Sequence, residues 1–312
     1  MPHYLLKLTL LLMLCAAAAG CEPSASKKRS DAANNNTNPS WPRPSIRTQL
    51  LKRLQDQSQE QQQETLLAIV LEDEPNKLRH EALEYLSIMG NEASSLGLPL
   101  AEQLLVETNP SLVIKLQSTL LEIQADIEDF LLAATETANE QQTFRIVQTL
   151  GHLSASKPGS LEFLTKRLSV AQQSDQQAAC ESLEKIGQVA HSALPGLIDI
   201  AAQPRVPLQG SQDGGQAYRA SRDLHRAAIR AIAAIGANED AIPVLTSALS
   251  GDPHSAQIAA NALAGLGPRA ASALPELEKL EARNDYQGKA IAIAMAVKAA
   301  KQAIAAIKPA AN

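Results

Sequence analysis

From residue 74 onward, apolar residues recur at intervals of 3, 1 and 3, and several of these runs stop at a glycine. HEALEYLSIMG ends at Gly90, TFRIVQTLG at Gly151, AACESLEKIG at Gly187, AAIRAIAAIG at Gly236 and AANALAGLG at Gly267. Counting back from each glycine, the eighth, fifth, fourth and first residues are small or apolar with few exceptions. They are Ala82, Tyr85, Leu86 and Met89, then Thr143, Ile146, Val147 and Leu150, then Ala179, Ser182, Leu183 and Ile186. Ala228, Ala231, Ile232 and Ile235 follow, then Ala259, Ala262, Leu263 and Leu266. Such intervals put four side chains on one face of a helix. The closing glycine suits the left-handed position just beyond a helix end. A sixth copy, Leu116, Thr119, Leu120 and Ile123, closes on Gln124 instead.

A second helix is expected after each glycine. GQVAHSALPGLIDI (187–200) and GPRAASALPELEKL (267–280) share Ala-Leu-Pro-x-Leu, with the proline in a helical first turn where its missing N–H costs nothing. Helix starts are marked by Asp252-Pro253, Asn109-Pro110 and Glu74-Pro75, and Ser58-x-x-Gln61 reads as a capping box. The unit is therefore helix, glycine turn, proline helix, recurring about every 30 residues. One such pair cannot bury its apolar stripe alone, so the pairs stack into an all-α solenoid.

The motifs over residues 74–283 resemble short HEAT-like repeats of the phycobilin-lyase type, most strongly over 172–283. Glu74-Pro75, Leu78-Arg79 and Ala82 carry the match in the first copy. The resemblance implies a right-handed α-solenoid of stacked antiparallel helix pairs, about six repeats plus terminal capping helices. Gln176, His225 and Ala256 stand where the family has Arg, at the Arg79 position. Residues 46–72 are expected to form a Gln-rich capping pair. Residues 285–307 close the array with Ile293, Val297, Ala300, Ile304 and Ile307 on one stripe and Lys298, Lys301 and Lys308 outward.

Composition narrows the classes. Eight aromatic rings in 312 residues and a rich alanine content oppose a β-sandwich and suit thin helical packing. Fifteen Gly and 17 Pro are too few for collagen or low-complexity disorder. Between 46 and 200 there are 11 basic and 22 acidic residues, and from 201 to 312 there are 12 and 9. That acidic balance and the scarce rings oppose nucleic-acid binding.

The N-terminus is a separate signal. Lys7 precedes an apolar run, Leu8 to Ala19, that is too short to span a bilayer, and Ala18-Ala19-Gly20 precedes Cys21. Residues 1–20 resemble a bacterial lipoprotein signal peptide, which implies lipidation of Cys21 and a membrane anchor. Glu22 after it resembles the outer-membrane lipoproteins of Gram-negative bacteria and implies the cell envelope, on the periplasmic side of the outer membrane. Residues 21–45, rich in Ser, Asn, Pro and charge, read as a flexible linker, with Trp41 placed to cap the first helix or meet a partner. Once Cys15 leaves with the signal, only Cys180 remains, and its apolar helical setting reads as a buried, inert thiol.

Chemistry-bearing clusters are few. Gly187 and Gly236 lie 49 residues apart, and the excess, near 204–218, is Pro-, Gly- and Gln-rich and reads as an inserted loop. After it, Arg219, Arg222, Arg226 and Arg230 share one helix face, with Arg205 in the loop and Asp213 and Asp223 as partners. This stripe reads either as a receptor for an anionic ligand or acidic partner or as a solvated face with local ion pairs. The acids Glu122, Asp126, Glu128 and Asp129 lack a calcium-loop spacing and read as a solvated face. His80, His152, His191, His225 and His254 form no metal-ligand motif, and no nucleophile motif is present.

The reading is a helical-repeat solenoid over 46–312 that acts without catalysis, cofactor or metal. It is expected to be a lipid-anchored scaffold holding a partner protein on its surface. The alternatives are a lyase or chaperone-like enzyme related to the HEAT-repeat bilin lyases, and an envelope protein binding an anionic glycan or polymer.

Overall fold

The computed structural model describes residues 45–72, 74–153, 157–170, 172–204, 212–282 and 290–308. The signal peptide, Cys21, the linker with Trp41, and Arg205 all lie outside these residues. Among the described residues there is no strand, and the helices form two layers. In the first layer, α1 (Ile46–Leu54), α3 (Asn76–Met89), α5 (Pro110–Glu122), α7 (Glu140–His152), α9 (Gln173–Ile186), α11 (Gln212–Ile235), α13 (Pro253–Leu266) and α15 (Ala290–Ile307) each pack on the next of the series. The second layer holds α2 (Gln59–Leu71), α4 (Gly97–Val106), α6 (Glu128–Ala134), α8 (Pro158–Arg167), α10 (Leu194–Ala202), α12 (Ile242–Ala248) and α14 (Leu274–Glu281). Each second-layer helix follows its first-layer mate, and one hydrophobic core runs from Leu50 to Ile307. The fold is an all-α solenoid.

Local chemistry sets the helix ends. The Asn109 side chain accepts from the Ser111 amide at 2.9 Å, and Pro110 fills the first turn of α5. Ser58 with Gln61 and Asn139 with Gln142 form capping boxes ahead of α2 and α7. Glu74-Pro75 behaves differently. Pro75 is the cap residue and makes no side-chain cap bond, while Glu74 pairs with Arg53 at 2.7 Å.

Gly90, Gly187 and Gly267 close α3, α9 and α13 at φ 57°, 67° and 56° with ψ near −140°. That region is open to glycine and closed to nearly all other residues. Each turn leads into seven residues of 3-10 helix, Gly90–Leu96, Gly187–Ala193 and Gly267–Ala273, before the second α-helix begins, at Gly97 ahead of Leu98-Pro99 in the first copy and at the Leu-Pro itself, Leu194 and Leu274, in the others. Gln124 holds positive φ, 53°, at the corresponding place.

Gly151 is a correction to the expected pattern. It lies inside α7, and a Cβ there would sit 2.5 Å from the Ser182 Cβ of α9. It is a close-approach glycine rather than a turn. Ser182 bonds to the Val147 carbonyl as Thr119 bonds to that of Leu83, which puts Val147 on α7 at the repeat position of Leu83 on α3. The third copy is therefore shifted by three, to Ile146, Thr149, Leu150 and Leu153. The error was invisible because a helical stripe nearly repeats after three residues.

In this register, the eighth residues (Ala82, Leu116, Ile146, Ala179, Ala228, Ala259) are all buried, and so are the seventh (Leu83, Gln117, Val147, Cys180, Ile229, Ala260). The seventh position is buried because first-layer helices are covered on both sides by neighbours of their own layer. The fifth position faces the preceding helix and is small or hydroxylated in α5 to α13. Thr119 Oγ1 donates to the Leu83 carbonyl at 3.3 Å, Ser182 Oγ donates to the Val147 carbonyl at 2.9 Å, and Thr149 Oγ1 accepts from Gln117 Nε2 at 3.1 Å.

The last helix ends the stacking. In α15 the buried stripe is Ile293, Ala296, Ala300, Ala303 and Ile307, while Val297 and Ile304 are only partly covered. The Ala306 carbonyl faces Gly267 as that of Glu122 faces Gly90, which places Lys301 at the seventh position. The side that would receive another helix thus carries exposed Lys298 and Lys301.

Two glycine substitutions separate turn geometry from helix propensity. Gly187→Ala is expected to lower stability by about 1–3 kcal/mol in urea unfolding, because only the backbone conformation is offended. Gly265→Ala, in the last turn of α13 with open space around it, is expected to raise stability by up to about 1 kcal/mol.

Candidate functional site

The arginine stripe sits on α11, the longest described helix at 24 residues. Residues 212–218, expected in the inserted loop, are helical, so the insertion is a shorter connection followed by a helix extension. The described first-layer turns follow their helix starts by fourteen residues, whereas α11 starts 24 residues before Gly236. Its first ten residues therefore extend past the level at which α9 and α13 begin.

This divides the stripe in two. Arg226 and Arg230 lie in the repeat body and are held by adjacent repeats. Arg226 pairs with Asp252, the cap residue of α13, at 2.9 Å, and Arg230 pairs with Glu184 of α9 at 2.9 Å. Arg222 pairs with Asp223 at 2.9 Å, and its guanidinium lies 5.9 Å from the Tyr218 ring centre. Arg219 is exposed and makes no ion pair among the described residues. Tyr218, Arg219 and Arg222 are the part of the stripe left facing outward.

Arg226 and Arg230 belong to a wider set of links along the first layer. Lys115 pairs with Glu84, His80 Nε2 meets Ser111 Oγ at 2.9 Å, and Lys185 Nζ meets His152 Nε2 at 2.9 Å. Burial, with the neighbouring Lys185 charge, lowers the His152 pKa. A second set ties first-layer helices to the ends of preceding second-layer helices. Arg79 Nε donates to the Val70 carbonyl at 2.9 Å and also pairs with Glu107, Gln176 Nε2 donates to the Leu168 carbonyl at 3.0 Å, and Arg145 donates to the Leu104 carbonyl at 2.9 Å. Arg79 and Gln176 occupy the same repeat position, and both donate to helix-end carbonyls. Among the described residues this role was not legible from single side chains; it appears only when both copies are laid on one frame.

The remaining candidates are accounted for by their surroundings. Lys157 Nζ lies 3.0 Å from both Asp126 and Asp129, and the Lys157 amide donates to Glu128 at 3.3 Å, so an ammonium group sits among these acids. Asp126, Glu128 and Lys157 line a cleft of about 430 Å³ together with Leu121, Ile127 and Leu153. Cys180 is fully buried, and burial pushes its thiol up to about 12, far from a thiolate at neutral pH. His225 is buried in α11 rather than on the surface. No cluster of three His, Cys, Asp or Glu side chains among the described residues has the geometry to hold a metal ion. No described helix is long and apolar enough to cross a membrane.

No protein-family model matches the chain, and no curated protein sequence matches it. Solved structures similar to it include an engineered protein from the Northeast Structural Genomics Consortium, 20% identical, covering 85% of this chain and 99% of that one, at a TM-score of 0.38. Another is a designed armadillo repeat protein in complex with the peptide (KR)4, 18% identical, covering 84% of this chain and all of that one, also at 0.38.

The Arg226–Asp252 pair gives a pH prediction. Burial alone would raise the Asp252 pKa, but hydrogen bonds from Arg226 and from the Ser255 hydroxyl and amide outweigh it and hold the carboxyl at about 2. Its folded value lies below the unfolded one, so its contribution is present above about pH 4 and is lost as pH falls towards 2. The contribution is on the order of 2 kcal/mol. Asp252→Asn should therefore be less stable than the parent at pH 7 and nearly equal to it at pH 2, read by thermal unfolding at both pH values.

Proposed function

We propose that this chain is a non-catalytic scaffold that holds a partner protein on its solenoid surface while its N-terminus anchors it to a membrane. In this reading the repeats are of the short HEAT-like type, residues 1–20 are a lipoprotein signal, and Cys21 carries the lipid. The chain then belongs to the cell envelope, on the periplasmic side of the outer membrane. A multiply acylated cysteine anchors firmly, since each buried CH₂ contributes about 0.8 kcal/mol.

The observation that supports partner capture is the helix extension of α11. Arg226 and Arg230 are used inside the array, whereas Tyr218 and Arg219 stand on the ten-residue extension and Arg222 stands at its base, level with the first residue of α9 and α13. A pre-ordered guanidinium pair beside a ring suits carboxylate- or phosphate-bearing partners. The same chemistry fits an anionic glycan, which the test separates from a protein.

Crosslinking in intact cells, followed by purification of the chain, should recover one or a few discrete protein partners. The double variant Arg219→Glu, Arg222→Glu should lose them while keeping its helical circular dichroism. An unchanged set of partners would remove the extension from the binding role, and polysaccharide in place of protein would favour the glycan reading. Labelled palmitate should enter the wild-type chain and not Cys21→Ser, and that variant should leave the membrane fraction. A Cys21→Ser chain that stays membrane-bound would overturn the anchor.

A further inference from the structure

Over residues 46–153 every Lys and Arg lies on a first-layer helix. Residues 59–72, 90–107 and 124–138, which supply α2, α4, α6 and the turns leading into them, hold three, three and four carboxylates and no Lys or Arg. The later second-layer helices differ: α8 carries Lys166 and Arg167, and α14 carries Lys279. The three acidic elements are neighbours in space. Gln63 Nε2 of α2 donates to the Glu92 carbonyl ahead of α4 at 2.9 Å, and Gly97 at the start of α4 packs on Ala125 and Ile127 ahead of α6.

Their outward residues fall four apart, on one stripe per helix. On α4 the stripe is Leu98, Glu102 and Val106, with Leu98 48% and Val106 63% exposed. On α2 it begins with Glu60 and Glu64, and Glu136 is exposed in the turn that follows α6. Glu60, Glu64, Glu102 and Glu136 pair with no cation among the described residues. Exposed large aliphatics flanking an unpaired carboxylate gain nothing from solvent, and the outward carboxylates of α2 and α4, helices that carry no Lys or Arg of their own, repel acidic partners.

We infer that the outer face of α2, α4 and α6 is a docking surface for a cationic, partly aliphatic protein segment, rich in Lys or Arg with Leu-like side chains between them. The carboxylates pair with its cations, and Leu98 and Val106 take its apolar side chains. This deepens the scaffold reading by naming a second face and the charge of what it holds, and it does not use the α11 extension.

The test is fluorescence anisotropy of the folded chain with a labelled dodecapeptide of Lys, Leu and Ala, and with its Glu-for-Lys counterpart. The Lys peptide should bind and the Glu peptide should not. Glu64→Lys with Glu102→Lys should weaken binding about tenfold, and Val106→Ser about threefold. Asp199→Lys with Glu239→Lys makes the same change in net charge on second-layer positions elsewhere and should leave binding within twofold. Equal losses in both double variants would show that binding follows net charge alone and overturn the assignment, as would the absence of binding to the wild-type chain. Failure here leaves the crosslinked partners of the α11 extension untouched, so the two readings fail separately.

Discussion

The array depends on how closely neighbouring first-layer helices approach. At the fifth residue before each turn, α5, α7, α9, α11 and α13 carry Thr119, Thr149, Ser182, Ala231 and Ala262, and none is larger than threonine. Where that residue is hydroxylated, it bonds to the preceding helix at its seventh position, through the Leu83 and Val147 carbonyls or the Gln117 amide. Gly151 belongs to the same constraint, since a methyl group there would overlap Ser182. The alanine-rich, ring-poor composition follows. Small side chains at the contact let helix backbones come together, and leucines at the fourth position fill the space between the layers. Each repeat touches chiefly its neighbours, so stability is a chain of similar interfaces.

Much of this was legible in the sequence. The glycine turns at 90, 187, 236 and 267, the Leu-Pro starts and the caps at Ser58, Asn109 and Asp252 each rest on one residue whose backbone or side-chain chemistry admits few alternatives. Other features resisted reading for physical reasons. The three-residue slip of the third copy went unseen because Thr143, Ile146, Val147 and Leu150 satisfy the stripe nearly as well as the set actually used. The buried seventh position was overlooked because the pattern assumed a helix covered on one side. The 3-10 segments have no strong composition of their own. Glycine and glutamine over 209–216 suggested a loop, yet α11 already begins at Gln212.

The candidate sites were legible in outline and not in division of labour. The spacing of the four arginines gives their common face correctly. It does not reveal that Asp252 and Glu184, brought in from the repeats on either side, engage two of them. The same holds for the acids at 126–129, which Lys157 reaches from nearly thirty residues away. Sequence proximity identifies charge clusters, whereas the stacking decides which charges are spent within the array and which face outward. Once that sorting is made, Arg219 and Arg222 are the part of the arginine stripe that faces outward, and Glu60, Glu64 and Glu102 face outward on α2 and α4.

The central claim is that close contact at the fifth position holds the repeats together. It is tested most directly by urea unfolding of Ala231→Leu beside Ala234→Leu, two additions of the same volume three residues apart on α11. Ala231 is fully buried and Ala234 is exposed. The account expects Ala231→Leu to cost about 1–3 kcal/mol through forced separation of α9 and α11, with Ala234→Leu within about 0.5 kcal/mol of the parent. Equal, small effects at both positions would contradict it.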